Sequence, residues 1–599
     1  MFLIDYCFRN LHSFQMQTNG FRVNALTTIT LKRKSTIVLF ALHLIILMIA
    51  QRGEAQDLSQ IGESNPVRFS GSLSAQAGPY LYFGQGEPRN EPFWWQVNGS
   101  PTISLYGWQI PFSFNYGSRN RSFNQPFNRY GVSPYYKWIT LHAGYRSIRM
   151  NPYVMSGIQF LGGGVELNPK GFRFAAFYGR FAKPIGQDTS SSITDVPLAA
   201  FRRMGYGAKI GVGSRRSYFD ISLVKVYDEV KSIAILDSSA LKPQDNVALG
   251  LSSKLAISKR IAFSFDAGAS LINRDLNLAV MDSVQKYNPF PGLFQIRQGT
   301  QFLLAGNAAL SYNNKNFGLK LQAKQVDADY RALAAFYQQS DLRSFSIEPS
   351  VRLKKNKIKI SASVGRQQDN ISGRKAFTSV RTISSGNIAV QATKEYNINL
   401  NFSNFGTTQQ AGLSVLNDTF RVAQNNLTFS VAQNYITSNK LRTLNVSMNV
   451  SYQELQDLNR FDTYTTSENQ VWFMNLNANR VRLSDNFGLL GGLNISHNAY
   501  FNGSYFLIGP TIGTSKPFFK DKLRTNLNVS WNKGYLSGIS SGSTLNSFAT
   551  IAYQVRKAHQ FNLTINALHN STTFVSPSGG SFTEVRFLIG YTLNFQRKS

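Results

Sequence analysis

The feature that most limits what this chain can fold into is a two-residue alternation that begins near Val67 and recurs to Phe595. In "LRTNLNVSWN", Leu523, Thr525, Leu527, Val529 and Trp531 alternate with Arg524, Asn526, Asn528, Ser530 and Asn532. The same logic runs through "FGLKLQAK" from Phe317, "YNINLNFS" from Tyr396, "LNVSMNVSYQ" from Leu444 and "QFNLTINA" from Gln560. Successive side chains of a strand point to opposite faces, so each segment reads as a strand with one apolar and one polar face. No long amphipathic helix and no linker-like composition divides the 599 residues.

In a soluble sandwich such strands bury their apolar faces against a second sheet, whereas in a transmembrane barrel they turn them to lipid and line a lumen with the polar ones. Three observations favour the barrel. The alternating segments run about ten residues, the ~9–11 that a tilted membrane strand needs. Their polar faces are rich in Asn, Ser, Lys and Gln, with no second apolar set to complete a core. The connections alternate between tight turns (168–171, 214–217, 258–260, 313–316, 354–357, 394–395, 437–440, 519–522, 556–559) and longer loops (182–203, 228–245, 274–299, 367–379, 454–468). The expectation is an all-β fold: one antiparallel up-and-down transmembrane barrel over 67–595 with about 26 strands, an even number. The stretch around Lys137 and Trp138 reads as two strands or as one, which leaves a range of about 24–26.

The first 55 residues read as a leader. Lys32, Arg33 and Lys34 precede an apolar run from Thr36 to Ala50, too short for the ~20 residues of a membrane helix, and Gly53 and Ala55 supply small residues for cleavage after Ala55. Residues 56–66 then form a short polar segment with no room for an N-terminal plug domain, and 596–599 a C-terminal tail. Cys7, the only cysteine, leaves with the leader, and with it any disulfide or thiol chemistry.

Leader, hairpins and the closing strand "EVRFLIGYTLNFQRKS", with Phe587, Ile589, Tyr591, Leu593 and Phe595 on one face, resemble a bacterial outer-membrane β-barrel protein. The aromatic stretch "GPYLYFGQGEPRNEPFWWQVNGSPTISLYGWQIPFSF" is similar in style to large outer-membrane barrels of Bacteroidota. This resemblance implies a bacterial outer-membrane location, contact with outer-membrane lipids and delivery by the barrel-assembly machinery. It implies no substrate.

The chain carries 63 Lys and Arg against 31 Asp and Glu. No long basic run marks a nucleic-acid surface, and an exported barrel does not meet one. Sorted by connection, the excess falls on the tight turns: Lys170, Arg215, Arg216, Lys259, Arg260, Lys315, Lys354, Lys355, Lys520, Lys522, Arg556 and Lys557. Such a rim suits anionic headgroups, and it also suits an acidic periplasmic partner. A second basic set, Lys320, Lys324, Lys357, Lys359, Arg366, Arg524 and Arg586, reads as facing the lumen, where charge sets selectivity.

Chemistry-bearing motifs are weak. The histidines beyond the leader are scattered over different hairpins, and no Cys/His or HExxH spacing suggests a metal. "GISSG" at Gly538–Gly542 lacks a following helix to form a nucleophile elbow around Ser540. Asp327 and Asp329 in "VDADY" lack the acidic series of a calcium loop. Trp108, Trp138, Trp472 and Trp531 fit interfacial girdles, while Trp94 and Trp95 read as lying in the first long loop. The expectation is a non-enzymatic barrel without cofactor or metal. Porin-like passage of small solutes, anions included, through a cationic lumen narrowed by loops such as 274–299 is the first reading. The alternative is a component of a secretion or surface-assembly complex that docks partners on its basic rim.

Overall fold

The structure, a computed structural model, describes residues 67–596 apart from 85–86, 119–126, 187–198, 235–240, 337–338, 412–422, 459–467 and 574–579. The expected leader, segment 56–66 and most of the C-terminal tail lie outside these residues. The rest is one antiparallel sheet that closes on itself, because Val67–Gly84 pairs with Phe582–Gln596 from Ser70↔Gln596 to Gly84↔Phe582. Of its 28 segments, Phe93–Gly99 and Thr102–Leu105 form one wall strand interrupted at Ser100 and Pro101, and Arg129–Val132 and Tyr135–Tyr136 form another interrupted at Ser133 and Pro134. Proline cannot donate to a ladder, which accounts for both breaks. The wall therefore has 26 strands. The stretch around Lys137 resolves into two strands, with the turn at Lys137 (φ 49°) and Trp138.

Each strand runs between a rim of short turns and a rim of longer connections, with both ends of the barrel sequence on the short-turn side. Register separates the two faces. Phe561, Leu563 and Ile565 sit across from Tyr591, Ile589 and Phe587, all on the outer face, where Ile589 is 65% exposed. Asn562, Thr564 and Asn566 lie opposite Gly590, Leu588 and Arg586 on the inner face. An exposed apolar exterior around a polar interior is the pattern of a barrel in lipid.

Outward aromatics gather at two heights. Toward the long-loop rim, Phe429, Tyr452, Trp472, His497, Phe506 and Tyr535 are successive cross-strand neighbours, with the Tyr452 and Trp472 rings 4.6 Å apart. Toward the short-turn rim, Phe518, Leu523, Tyr553, Phe561 and Tyr591 form a second row. Along the strand Gly503–Phe518, the step from Phe506 to Phe518 covers about 40 Å at ~3.3 Å per residue, or about 30 Å normal to the membrane at the usual tilt. That matches the hydrocarbon thickness of a bilayer.

Most strands are longer than the ten residues expected from sequence: 12 in Gly171–Ala182 and Tyr218–Glu229, 16 in Ala423–Ser438 and Arg442–Asp457. The pairing continues past the aromatic rows, because ladder hydrogen bonds are as useful outside the lipid as within it.

Among the described residues, two connections fold into the lumen. Ile148, Met150, Val154 and Met155, together with Ala332, Leu333 and Ala334, pack on the inward Phe160, Phe177, Phe181, Val224, Val226, Ala248 and Ile272. The two connections also join each other, through a parallel bridge between Ser156 and Ala335 and a hydrogen bond from Phe336 N to Ser156 O of 2.8 Å. Each apolar side chain buried in this way contributes roughly 1.5–3 kcal/mol relative to exposure.

The connection 274–299 does not fill the lumen. Its Phe290, Leu293, Phe294 and Ile296 pack on Leu223, Val247 and Leu271, which share a face with the exposed Phe219, Ile221 and Leu255. The loop therefore lies on the outer wall. There it covers the ion pair between Lys225 and Asp245 and places Lys225 Nζ 5.3 Å from the Phe294 ring centroid.

Candidate functional site

The lumen has two unlike linings. The first is where the inward connections are seated, and two glycines make it possible. Gly250 and Gly268 are cross-strand partners on the inner face. A Cβ on Gly268 would stand 2.6 Å from both Tyr153 Cβ and Tyr330 Oη, and one on Gly250 would stand 2.9 Å from Asn151 Cβ. Their missing side chains let the inward connection lie directly on the wall. Asn151 Nδ2 then reaches Leu251 O and Ser252 Oγ at 3.0 Å and Ala267 O at 3.1 Å, while its Oδ1 accepts from Tyr153 N at 2.8 Å. Asn246 Oδ1 accepts from Leu333 N at 3.0 Å, and Ser270 Oγ donates to Arg331 O at 2.7 Å. Polar backbone that would otherwise be buried unpaired is satisfied by the wall.

Tyr330 donates its hydroxyl to Tyr153 O at 2.9 Å, and the two rings meet edge to face at 6.2 Å. Burial, with the Asp266 charge behind it, pushes the Tyr153 hydroxyl up to about 12. Burial also raises Tyr330. Both therefore stay neutral donors at physiological pH. Between these segments and the short-turn rim, the inner face carries Arg173 bound bidentately to Asp220 (2.7 and 2.9 Å), and His142 3.0 Å from Glu166.

Above the inward segments, at the long-loop mouth, a cavity of about 500 Å³ is lined by Arg203, Arg274, Arg331, Ile158, Leu333 and Phe336 among others. Arg203 forks onto Asp228 at 2.7 and 2.8 Å. Arg274 donates to Gln301 Oε1 at 2.8 Å and to Asp329 O at 2.9 Å. Arg331 lines the cavity and is exposed. Partial desolvation lowers its pKa, and the Arg203 and Arg274 charges lower it further, while Asp228 opposes them.

The second lining is a belt of amides and hydroxyls. Asn387 Nδ2 donates to Asn399 Oδ1 and Asn401 Oδ1 at 2.6 Å, and Asn401 donates to Ser430 Oγ at 3.3 Å. Asn475 bonds Asn494, and Thr544 donates to Asn570 Oδ1 at 3.0 Å. Between Val67–Gly84 and Phe93–Gly99, Ser74 donates to Asn98 Oδ1 at 2.9 Å and Gln76 to Gln96 Oε1 at 3.1 Å. These groups are uncharged, so the belt adds hydrogen-bonding capacity to this side of the inner face without adding charge.

The residues expected in the lumen are spread rather than assembled. Lys320 is on the inner face but paired to Glu348 at 3.2 Å; Lys324 is inward and without a partner among the described residues. Lys357 and Lys359 line a cavity of about 540 Å³ near the short-turn rim, beside Asn399 and Asn434. Arg524 faces inward with Asn526 and Asn528, and Arg586 lies over the Trp94 ring at 5.2 Å. Arg366 does not face the lumen: it pairs with Phe345 on the face of Ile347 and Val364, which are 58, 53 and 56% exposed respectively. After Val364 the sequence runs Gly, Arg, Gln, Gln, so the apolar contrast fades and only register decides its side.

The twelve rim residues, from Lys170 to Lys557, are all exposed at the short-turn end. Trp94 and Trp95 belong to the strand Phe93–Gly99 rather than to a loop; Trp94 turns inward and Trp95 outward. Trp108 stacks on Tyr136 at 5.5 Å beside the short-turn rim, Trp138 lies in a turn of that rim, and Trp531 is outward and 45% exposed.

Sequence reasoning missed Asn151, Gly250, Gly268 and the three arginines. The signal was present: "SIRMNPYVMSGIQF" and "DADYRALAAFY" place Ile, Met, Val, Leu and Ala in connections, without alternation.

This geometry defines a closed 26-stranded antiparallel β-barrel, the architecture of bacterial outer-membrane barrels. Among solved structures the chain is similar to the translocation pore of the P pilus usher PapC, with 10% identity, TM-score 0.36, and 88% of this chain and 100% of that one covered. It is similar to the FrpB iron transporter of Neisseria meningitidis, with 11% identity, TM-score 0.36, and 90% and 83% covered. It is also similar to OccK2 of Pseudomonas aeruginosa in complex with glucuronate, with 13% identity, TM-score 0.27, and 69% and 98% covered. Likeness at this level carries no argument about solute or partner. No known protein family and no curated protein matches the sequence.

Proposed function

We propose that the protein is a porin-like outer-membrane channel that passes small polar solutes, anions among them, through a lumen narrowed by its own connections. The observation that carries this reading is the pairing of a lipid-ready exterior with a polar inner wall, part of which is filled by 147–158 and 329–336 and part lined by the amide belt. Amides and hydroxyls replace the hydration of a polar solute in passage, and Lys324 and Lys359, without a partner among the described residues, favour anions.

Single-channel recording in planar bilayers tests it. Discrete current steps with a reversal potential displaced toward the anion in a salt gradient are expected. A verified inserted protein that passes no current, or one selective for cations, overturns the corresponding part of the reading.

The exposed basic rim supports the second reading, a membrane-embedded member of a secretion or surface-assembly complex docking an acidic periplasmic partner. A stoichiometric partner that co-purifies at low salt and is released when Lys354, Lys355, Lys520 and Lys522 are changed to Gln would favour it. No catalytic residue, cofactor or metal is assigned.

A further inference from the structure

The cavity at the long-loop mouth combines features that the pore reading does not use. One wall is cationic: Arg203, Arg274 and Arg331 converge on about 500 Å³, a volume in the range of small-molecule sites. Arg203 is held by Asp228 and Arg274 by Gln301 and the Asp329 carbonyl, so both guanidinium groups are fixed in place. Arg331 is different. Its backbone is anchored by Ser270, yet its side chain makes no hydrogen bond or ion pair among the described residues. The same lining holds apolar groups, Ile158, Leu333 and Phe336, the last of these 67% exposed.

A guanidinium with no hydrogen bond or ion pair among the described residues, in a cavity that also exposes a phenyl ring above a floor the chain itself builds, suits a ligand with one anionic end and one apolar end. We propose that this cavity is a binding site for a small aliphatic or aromatic monocarboxylate, with the carboxylate on Arg331 and the carbon skeleton against Phe336 and Ile158. Arg331 presents a planar donor fork to the two carboxylate oxygens. Arg274 and Arg203 add positive potential without surrendering their own partners. The floor of the cavity is the inward segment 329–336, so the site sits where a solute would pause before passage. A monocarboxylate is favoured over a dianion because Asp228 and the exposed Asp329 offset two of the three positive charges.

The inference deepens the channel reading and rests on it for its physiological sense, but its test does not. Hexanoate is titrated into purified protein in detergent at low salt and followed by calorimetry, with hexanol and hexylamine as matched probes. Saturable one-to-one binding of hexanoate is expected, with hexanol at least about tenfold weaker, the scale of a charge-assisted hydrogen bond. Arg331→Gln should weaken hexanoate about tenfold or more and leave hexanol unchanged, while Arg331→Lys should recover part of the loss. Phe336→Ala should weaken hexanoate and hexanol alike.

The proposal fails if hexanol binds as well as hexanoate, if Arg331→Gln binds hexanoate normally, or if no saturable binding occurs. Each variant is first shown to keep the heat-modifiable gel migration of a folded barrel. Current without hexanoate binding removes this site alone; binding without current removes the channel reading and leaves the site.

Discussion

The two sides of the barrel are built differently. From Ile139–Arg146 to Leu342–Leu353 the strands are mostly 8–13 residues long, the inner face carries glycines, apolar groups and paired charges, and two connections fold onto it. From Phe377–Gln391 to Phe582–Gln596 the strands run 14–18 residues and the inner face is a hydrogen-bonded amide belt. A tall wall of small polar groups bonds laterally and needs nothing against it. A glycine-rich wall gains stability only when another surface fills the space left by its missing side chains. What occupies the lumen is thus decided by the wall behind it.

Removing the filling is the strongest way to break that contrast. Replacing residues 149–156 by a short Gly/Ser linker should raise single-channel conductance several-fold, since the segment that seats the constriction is gone. A conductance equal to that of the parent would mean that 147–158 does not limit passage. The thermal transition of the folded barrel should fall at the same time, because the buried apolar cluster is lost.

Gly268→Val is a milder version. Its new side chain meets Tyr153 Cβ and Tyr330 Oη, so overpacking should cost about 1–3 kcal/mol and produce noisy, flickering openings. Gly491, which has open space around its Cβ position, should tolerate the same change quietly. If the two variants behave alike, the packing role of the wall glycines is wrong.

On the other side, Asn401→Asp places a charge in a neutral belt. Displacement of the reversal potential toward cations is expected, with little change in conductance. No displacement would show that solute does not pass along the belt.

The smallest effect concerns the long-loop rim, where Asp341 Oδ2 lies 2.5 Å from Lys375 Nζ and Asp341 Oδ1 accepts from Ile371 N at 2.8 Å. Burial pushes the Asp341 carboxyl up, but Lys375 and the backbone N–H groups of Ile371 and Asn370 more than offset it, and it titrates below its ordinary 3.8. Asp341 hydrogen bonding in turn raises Lys375. A carboxyl with a depressed folded pKa contributes stability above its unfolded value and loses it as pH falls through the folded one. A raised lysine contributes below its unfolded value and loses it as pH rises through the folded one. A spin label on Ser372→Cys should therefore stay immobile at intermediate pH and loosen at both acidic and alkaline ends, and Lys375→Gln should remove the alkaline step and shrink the acid one. An acid step unchanged in that variant would rule out this tie.

The sequence by itself determined the strands, the turns and most of the faces, because alternation and turn chemistry are local: Leu527 and Asn528 declare opposite sides wherever the strand lies. It placed the basic residues on the short-turn rim for the same reason. Only the tertiary structure decided that 147–158 and 329–336 turn inward while 274–299 turns outward, since all three are connections of mixed composition and their direction depends on walls distant in sequence. It likewise decided that Trp94 faces the lumen above Arg586 and that Arg366 sits beside Phe345. In those places the local pattern carries too little apolar contrast to choose a side, and register with a partner strand chooses it instead.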